Sequence, residues 1–305
     1  MPYHYPLAAT TSYYTRDPQQ AEELDNVRAK RSEEELAKLH QDFPAVFGEA
    51  TGEVASRPPL PVKCHITLDD KPFFLPPPYP VPLKYRERIV PQLQELVDSG
   101  VVRFTSGTRY LSPLLVVPKH DGGLRPCSDF RILNSHTVSE PYPLPRIDEL
   151  KLTIQGSVFT TLDLSNAFYN IAIADEDVYK TATATPIGVI EFTRMCFGLK
   201  NAPAIFQRCI DDVLRGLPHC VAYIDDILIY SHSMARHVQH VREVFKRLDK
   251  WGLRIKLKKC HFFQHTVNFL GIEFSPCGYR LNPTFPKFLL CSHLSRRKAC
   301  SNFWA

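Results

Sequence analysis

Asp225 and Asp226 are adjacent carboxylates set inside Val221-Ala-Tyr-Ile-Asp-Asp-Ile-Leu-Ile-Tyr-Ser231, eleven residues that hold no other charge. The flanking residues are β-branched, aliphatic or aromatic, which predicts two buried strands joined by a very tight turn. Burying two negative charges between apolar strands is costly unless a cation compensates them. A divalent metal ion does this, and hard carboxylate oxygens suit magnesium. An ordinary surface turn is the plainer use of aspartate. The uncharged surroundings favour the metal.

A third carboxylate, Asp163, closes an apolar run in Thr161-Leu-Asp-Leu-Ser-Asn-Ala-Phe-Tyr-Asn-Ile171. A strand from Ser157 to Leu162 is expected to end at Asp163 and to turn helical over Asn166–Asn170. Such a junction presents backbone amides beside a carboxylate, a favourable place for phosphate. Farther back, His120-Asp-Gly-Gly123 is a turn signal between two short strands, Leu114–Lys119 and Arg125–Phe130. Lys119 and Arg125 flank that turn. Paired cations suit a triphosphate; a solvated basic hairpin is the bland alternative.

Together with Phe197-Gly-Leu-Lys-Asn-Ala-Pro-Ala-Ile-Phe-Gln-Arg208 and Phe269-Leu-Gly-Ile272, these boxes occur in an order that resembles the reverse transcriptases, particularly those of gypsy-type LTR retrotransposons. The likeness covers about residues 60–282. It implies an α+β right-hand polymerase fold: fingers, then an antiparallel palm sheet packed on helices, with the thumb largely missing. It implies RNA-directed DNA synthesis, two magnesium ions (or manganese in their place), an RNA or DNA template with its primer, and dNTPs. The catalytic residues would be Asp163, Asp225 and Asp226. Metal would be held by Asp163, the Leu164 carbonyl and Asp225, while Asp226 orients or tunes the site. The nucleotide would meet Lys119, Arg125, Asn166, Ala167, Phe168 and Gln207, with Phe168 beneath the sugar. Template and primer would meet Gly198, Pro203, Tyr223, Arg254, Lys256, Leu270 and Gly271. Cys196 stands where the family usually shows proline.

The remaining chain must position these groups. A solvated helix is expected from Asp17-Pro18 to about Gln41, within an N-terminal extension of residues 1–57 whose first 17 residues read as disordered. Ten prolines in residues 58–91 predict an extended crossing, with His65–Leu68 as one edge strand. Ile89, Leu93, Leu96 and Val97 share one face of a helix that Gly100 stops. Residues 180–194 alternate as a hairpin around Pro186-Ile-Gly188, and Asn201–Leu214 predicts a helix with Ile205, Ile210, Val213 and Leu214 inward. Met234–Trp251 is the plainest helix, with Val238, Val241, Val244, Phe245, Leu248 and Trp251 recurring at three- and four-residue steps on one face. His232, His237 and His240 at its start read as a polar helix face, with metal binding by His237 and His240 the alternative. Arg254–Lys259 alternates basic and apolar, which predicts a strand with a cationic edge. Residues 283–305 show no helical period, as a frameshifted or truncated element would, and other parts of a Pol polyprotein would then be partners.

With 44% hydrophobic and 23% charged residues, the composition is that of a folded soluble protein. No run of apolar residues is long enough to span a bilayer, and the N-terminus lacks the features of a signal peptide. Nine cysteines without a CxxC pair fit a reducing cytoplasmic or nuclear setting. The net charge of +5 is weak support for nucleic acid. Two further readings compete: a silent remnant that keeps the palm and at most binds nucleic acid, and a magnesium-dependent phosphohydrolase.

Overall fold

Alternation of side chains across a pleated strand decides how this chain layers, because each palm strand has one face toward helix and one toward a second sheet. The computed structural model describes residues 18–48, 60–71, 78–106, 108–118 and 122–281. The chain divides into two units, Met1–Asp42 and Phe43–Ala305. In the first, α1 spans Pro18–Asp42, as the change in composition there predicts.

The second unit opens with the short helix α2 (Pro44–Phe47), the strand β1 (Lys63–Cys64) and the helix α3 (Leu83–Asp98). Then come β2 (Val102–Phe104), β3 (Leu114–Pro118), β4 (Leu124–Ser128), α4 (Arg131–His136) and α5 (Ile147–Thr153). The strand β5 (Val158–Asp163) leads into a 3-10 turn at Ala167–Asn170, followed by β6 (Ala172–Ile173), β7 (Thr183–Thr185) and β8 (Gly188–Phe192). Next are α6 (Ala202–Val213), β9 (Cys220–Tyr223), β10 (Asp226–Ser231) and α7 (Met234–Lys250). The last four strands are β11 (His261–Gln264), β12 (Val267–Phe269), β13 (Ile272–Ser275) and β14 (Gly278–Leu281).

The central sheet is antiparallel throughout, in the order β11-β5-β10-β9. Helix α7 packs against β10 and β5, and α6 against β9. Val241, Val244, Phe245 and Leu248 of the predicted stripe are fully buried against the sheet, while Val238 is half-buried and Trp251, also half-buried, follows the last turn of α7. Phe245 also packs on Phe43 and Phe47, which seats α2 beneath the palm. On the opposite face, Phe159, Leu228 and Tyr230 join Val267, Phe269, Ile272 and Phe274 in one buried cluster. The three-stranded sheet β12-β13-β14 is thereby fixed against the palm. The pair β3-β4 and the sheet β2-β8-β7 are separate from the central sheet and meet each other where β3 contacts β7. Among the described residues no helix is long and apolar enough to cross a membrane.

Three local expectations fail, each because partners on other elements override local pattern. His65–Leu68 is not a strand: the extended pairing is at Lys63–Cys64, parallel to β6, and Leu68 makes only a bridge to Thr137. Arg254–Lys259 is not a strand either. Ile255 N–H donates to the Val46 carbonyl and Lys256 N–H to that of Asp163, after which Leu257–Lys259 curls into a 3-10 turn. His237 is no part of a polar face. It is fully buried, its ring nitrogens at 2.8 Å from Thr160 Oγ1 and 2.7 Å from Ser231 Oγ, clamping α7 onto β5 and β10. Residues 1–17, Lys119 and the tail from 282 onward lie outside the described residues.

The His237 clamp gives the fold an acid sensitivity. Burial and the neighbouring His240 and His219 push its pKa down to about 3, against an ordinary 6.5. Below pH 6.5 the unfolded chain takes up a proton that the native imidazole refuses, so stability is full above 6.5 and falls as the pH drops toward 3. Urea unfolding should therefore lose about 2 kcal/mol from this group between pH 6.5 and pH 5. His237→Gln should flatten that slope; an unchanged slope would assign the loss to other groups.

Gly156 is a second structural pivot. A Cβ there would lie 2.9 Å from both the backbone N and O of Ser231, inside the junction where Ser157 N–H donates to the Ser231 carbonyl. Gly156→Ala must push β5 from β10 at that end, and overpacking of this kind costs roughly 1–3 kcal/mol. Thermal melting checks this, and an unshifted midpoint would contradict it.

Candidate active site

The ladder between β5 and β10 sets Asp163 directly across from Asp226, with Leu162 opposite Ile227 and Thr161 opposite Leu228. Tyr223 pairs with Asp226 across the neighbouring ladder, so Ile224 and Asp225 alone form the turn. Ile224 takes φ 55, a left-handed conformation that a β-branched residue adopts only under constraint. The constraint is visible. Ile224 N–H donates to Gln207 Oε1 at 2.7 Å, and Leu164 N–H donates to the Asp225 carbonyl at 2.9 Å. The apolar run predicted from sequence thus delivers all three aspartates to one edge of the palm.

Electrostatically the site is short of positive charge. Burial, then repulsion from Asp225 and Asp163, pushes the Asp226 carboxyl up to about 6. Burial and Asp163 also raise the Asp225 carboxyl. The cation in reach is Lys259, whose Nζ lies 2.9 Å from Asp163 Oδ2; the pairing raises the lysine. Carboxylates that resist ionisation together are a donor set suited to a divalent cation, and the residues present fit one. Among the described residues the trio whose ligand atoms lie within 4.8 Å of one another is a different one, His65, Glu176 and Asp177. Asp177 there already accepts from Ile66 N–H and Lys180 Nζ, so it fits a structural role.

A cleft lined by Thr161, Asp163, Asp226, Lys259, Asn268 and Leu270 opens beside the carboxylates. Leu270 (φ 53) and Gly271 (φ 77) form the two-residue turn between β12 and β13, both left-handed as a tight hairpin turn requires. Leu270 and Tyr223 pack on the same apolar cluster, which brings this turn and the aspartate hairpin together. Lys256 is exposed beside the site and its N–H holds the Asp163 carbonyl; the Arg254 carbonyl accepts from Ser165 N–H.

On the other side, Asn166 sits exposed at φ 50 and starts the 3-10 turn that buries Ala167 and Phe168. The Phe168 ring is 3% exposed and packs 4.8 Å from Phe197 and 5.7 Å from Phe206. Gly198, at φ 93, turns the chain before α6, its carbonyl accepting from Asn134 Nδ2 at 2.7 Å. Pro203 occupies the first turn of α6. Arg125 is exposed on β4, opposite Val117. Gln207 is fully buried, and its amide faces the aspartate hairpin.

Two residues of the site escape a reading from sequence. Lys259 sits in a run that alternates like a strand, and only the 3-10 turn swings it onto Asp163. Cys260 is the second: Asp163 N–H points at its sulfur at 3.4 Å.

The sequence pattern described as "Reverse transcriptase (RNA-dependent DNA polymerase)" matches residues 117–274. The chain belongs to the reverse transcriptase family. This reverse transcriptase segment is 38% identical over 213 residues to the retrovirus-related Pol polyprotein from transposon 297 of Drosophila melanogaster, covering 67% of this chain and 20% of that protein. It is 34% identical over 251 residues to the transposon Tf2-3 polyprotein of Schizosaccharomyces pombe, covering 81% of this chain and 19% of that one. The chain therefore spans about a fifth of the length of these relatives. Among solved structures it resembles the foamy viral protease-reverse transcriptase in complex with dsDNA, with TM-score 0.70 and 25% identity over 82% of this chain and 52% of that one. The residues matched to the family, 117–274, contain the three strands of the two aspartate-hairpin ladders. Reverse transcriptases use divalent metal ions, in accord with the donor set.

Proposed function

We propose that this chain is an RNA-directed DNA polymerase module that adds dNTPs to a primer 3′-hydroxyl. The observation that carries the reading is the pairing of Asp163 with Asp226 across the ladder, with Asp225 at the turn beside them. Asp163, the Leu164 carbonyl and Asp225 would hold two magnesium ions, or manganese in their place. Bound there, the ions supply Lewis-acid stabilisation of the attacking and leaving oxygens.

Asp226, its carboxyl pushed up to about 6 by burial and its acidic neighbours, tunes the charge of the cluster. Arg125, with Lys119 across the fingers turn, neutralises the triphosphate. Asn166, Ala167 and Phe168 line the floor beneath the sugar. Gly198, Pro203 and Tyr223 border the template strand, while Arg254, Lys256 and the Leu270–Gly271 turn hold the primer. Template and primer, RNA or DNA, are recognised by backbone charge and base pairing, so sequence is left to the template. The seven described cysteines are all free, which suits a reducing intracellular compartment, cytoplasmic or nuclear. Residues 58–282 would form the fingers and palm, working alongside other parts of a Pol polyprotein.

The test is templated incorporation: a DNA primer on an RNA template, with each dNTP supplied singly. Only the complement of the next template base should be added. Addition without regard to the template would overturn the reading.

A further inference from the structure

Gln207 does not stand alone behind the hairpin. Its Nε2 donates to Asp211 Oδ1 at 2.9 Å and to the Ala222 carbonyl at 3.1 Å. Asp211 Oδ2 in turn accepts from the Tyr142 hydroxyl at 2.9 Å. The chain of bonds runs Tyr142–Asp211–Gln207–Ile224 and ends one residue before Asp225. We propose that Asp211, held by Tyr142, is a positioning residue for the catalytic turn, acting through Gln207.

An amide can present either end. Here the carboxylate of Asp211 and the carbonyl of Ala222 are both acceptors, so only the NH₂ end suits them. That leaves Oε1 to receive Ile224 N–H and to keep Ile224 left-handed at φ 55. Gln207 is fully buried, so losing a protein partner leaves its amide under-satisfied at a cost. Without Asp211 the amide loses one of the two acceptors that fix its orientation. The turn is then free to relax toward a φ that isoleucine prefers, and Asp225 moves with it. Tyr142 lies on the segment before α5, which ties the approach to the palm to the position of a metal-binding carboxylate.

This inference rests on the polymerase reading, and its test separates the two. Asp211→Ala keeps a helix former in α6, and Asp211→Asn keeps an acceptor for Gln207. Extension rates are measured where circular dichroism shows every protein fully folded, and Mn²⁺ binding is followed in parallel by its electron paramagnetic resonance signal. Asp211→Ala should lower kcat on the order of tenfold and weaken Mn²⁺ binding several-fold, with the KM for dNTP within about twofold of wild type; a displacement of roughly 1 Å can cost even more. Asp211→Asn should recover most of both. Unchanged kcat and Mn²⁺ binding in Asp211→Ala would overturn the proposal, as would a rise in KM alone, which would place the network against the nucleotide. If wild type extends nothing, the polymerase reading fails, and Mn²⁺ binding still decides the role of Asp211.

Discussion

Asp163→Asn is expected to abolish primer extension while leaving the melting temperature nearly unmoved. The substitution keeps the volume of the side chain and removes one charged group, proposed as a metal ligand, from a site whose geometry is set by the backbone ladder. Losing a partner one layer out from a metal typically costs about 10- to 100-fold, so loss of a ligand itself should cost more. Stability is a separate matter. The Lys259 ion pair is exposed on the lysine side and is worth less than about 1 kcal/mol. Against it stands relief of the repulsion from Asp163 that adds to burial in raising Asp225 and Asp226. The two effects oppose one another, so an inactive and well-folded protein is the expected outcome. Extension above a few per cent of wild type would rule out Asp163 as a metal ligand, and a large drop in melting temperature would show that the charge also serves the fold.

Phe168→Val is the second large effect. The ring lies under the Asn166–Asn170 turn and is wedged against Phe197 and Phe206, so its position is fixed by packing rather than by a ligand. In the proposed nucleotide site a rigid aromatic there would leave no room for a 2′-hydroxyl, whereas valine would open that space. The variant should accept ribonucleotides at least about tenfold better relative to deoxynucleotides, in line with the 1–3 kcal/mol that pocket contacts of this size command. It should also lose a few kcal/mol of stability, because Phe168 is nearly fully buried and a large-to-small change leaves a cavity. The discriminating measurement is the ratio of kcat/KM for dNTP and rNTP on one template. A ratio equal to wild type, in a protein shown to be folded, would make Phe168 a core residue and nothing more.

What could be read from the sequence follows a physical line. The aspartate hairpin was legible because an uncharged run of strand formers leaves its two carboxylates only the turn and the strand end beside it. Asp163 was legible for the same reason, and α7 because its apolar residues keep a helical period over 17 positions. The failures are all long-range. The contact between Lys259 and Asp163 joins residues 96 apart, and the basic run that carries the lysine looked like a strand until the Val46 and Asp163 carbonyls bent it. His237 seemed a solvated residue because its partners, Thr160 and Ser231, come from two strands that the helix meets only after folding. For Gln207, expected at the nucleotide, the hydrogen bonds to the aspartate hairpin were not legible. Its burial beneath the hairpin depends on how α6 docks on β9, which no local pattern records.

One measurement bears most directly on the account: single-turnover extension of a DNA primer on an RNA template by the 305-residue chain and by Asp225→Asn, purified side by side and supplied with magnesium or manganese. The account predicts templated extension by the first and none by the second, with both proteins showing the same circular dichroism. Equal extension by the two proteins, or none by the wild-type chain with either ion, would contradict it.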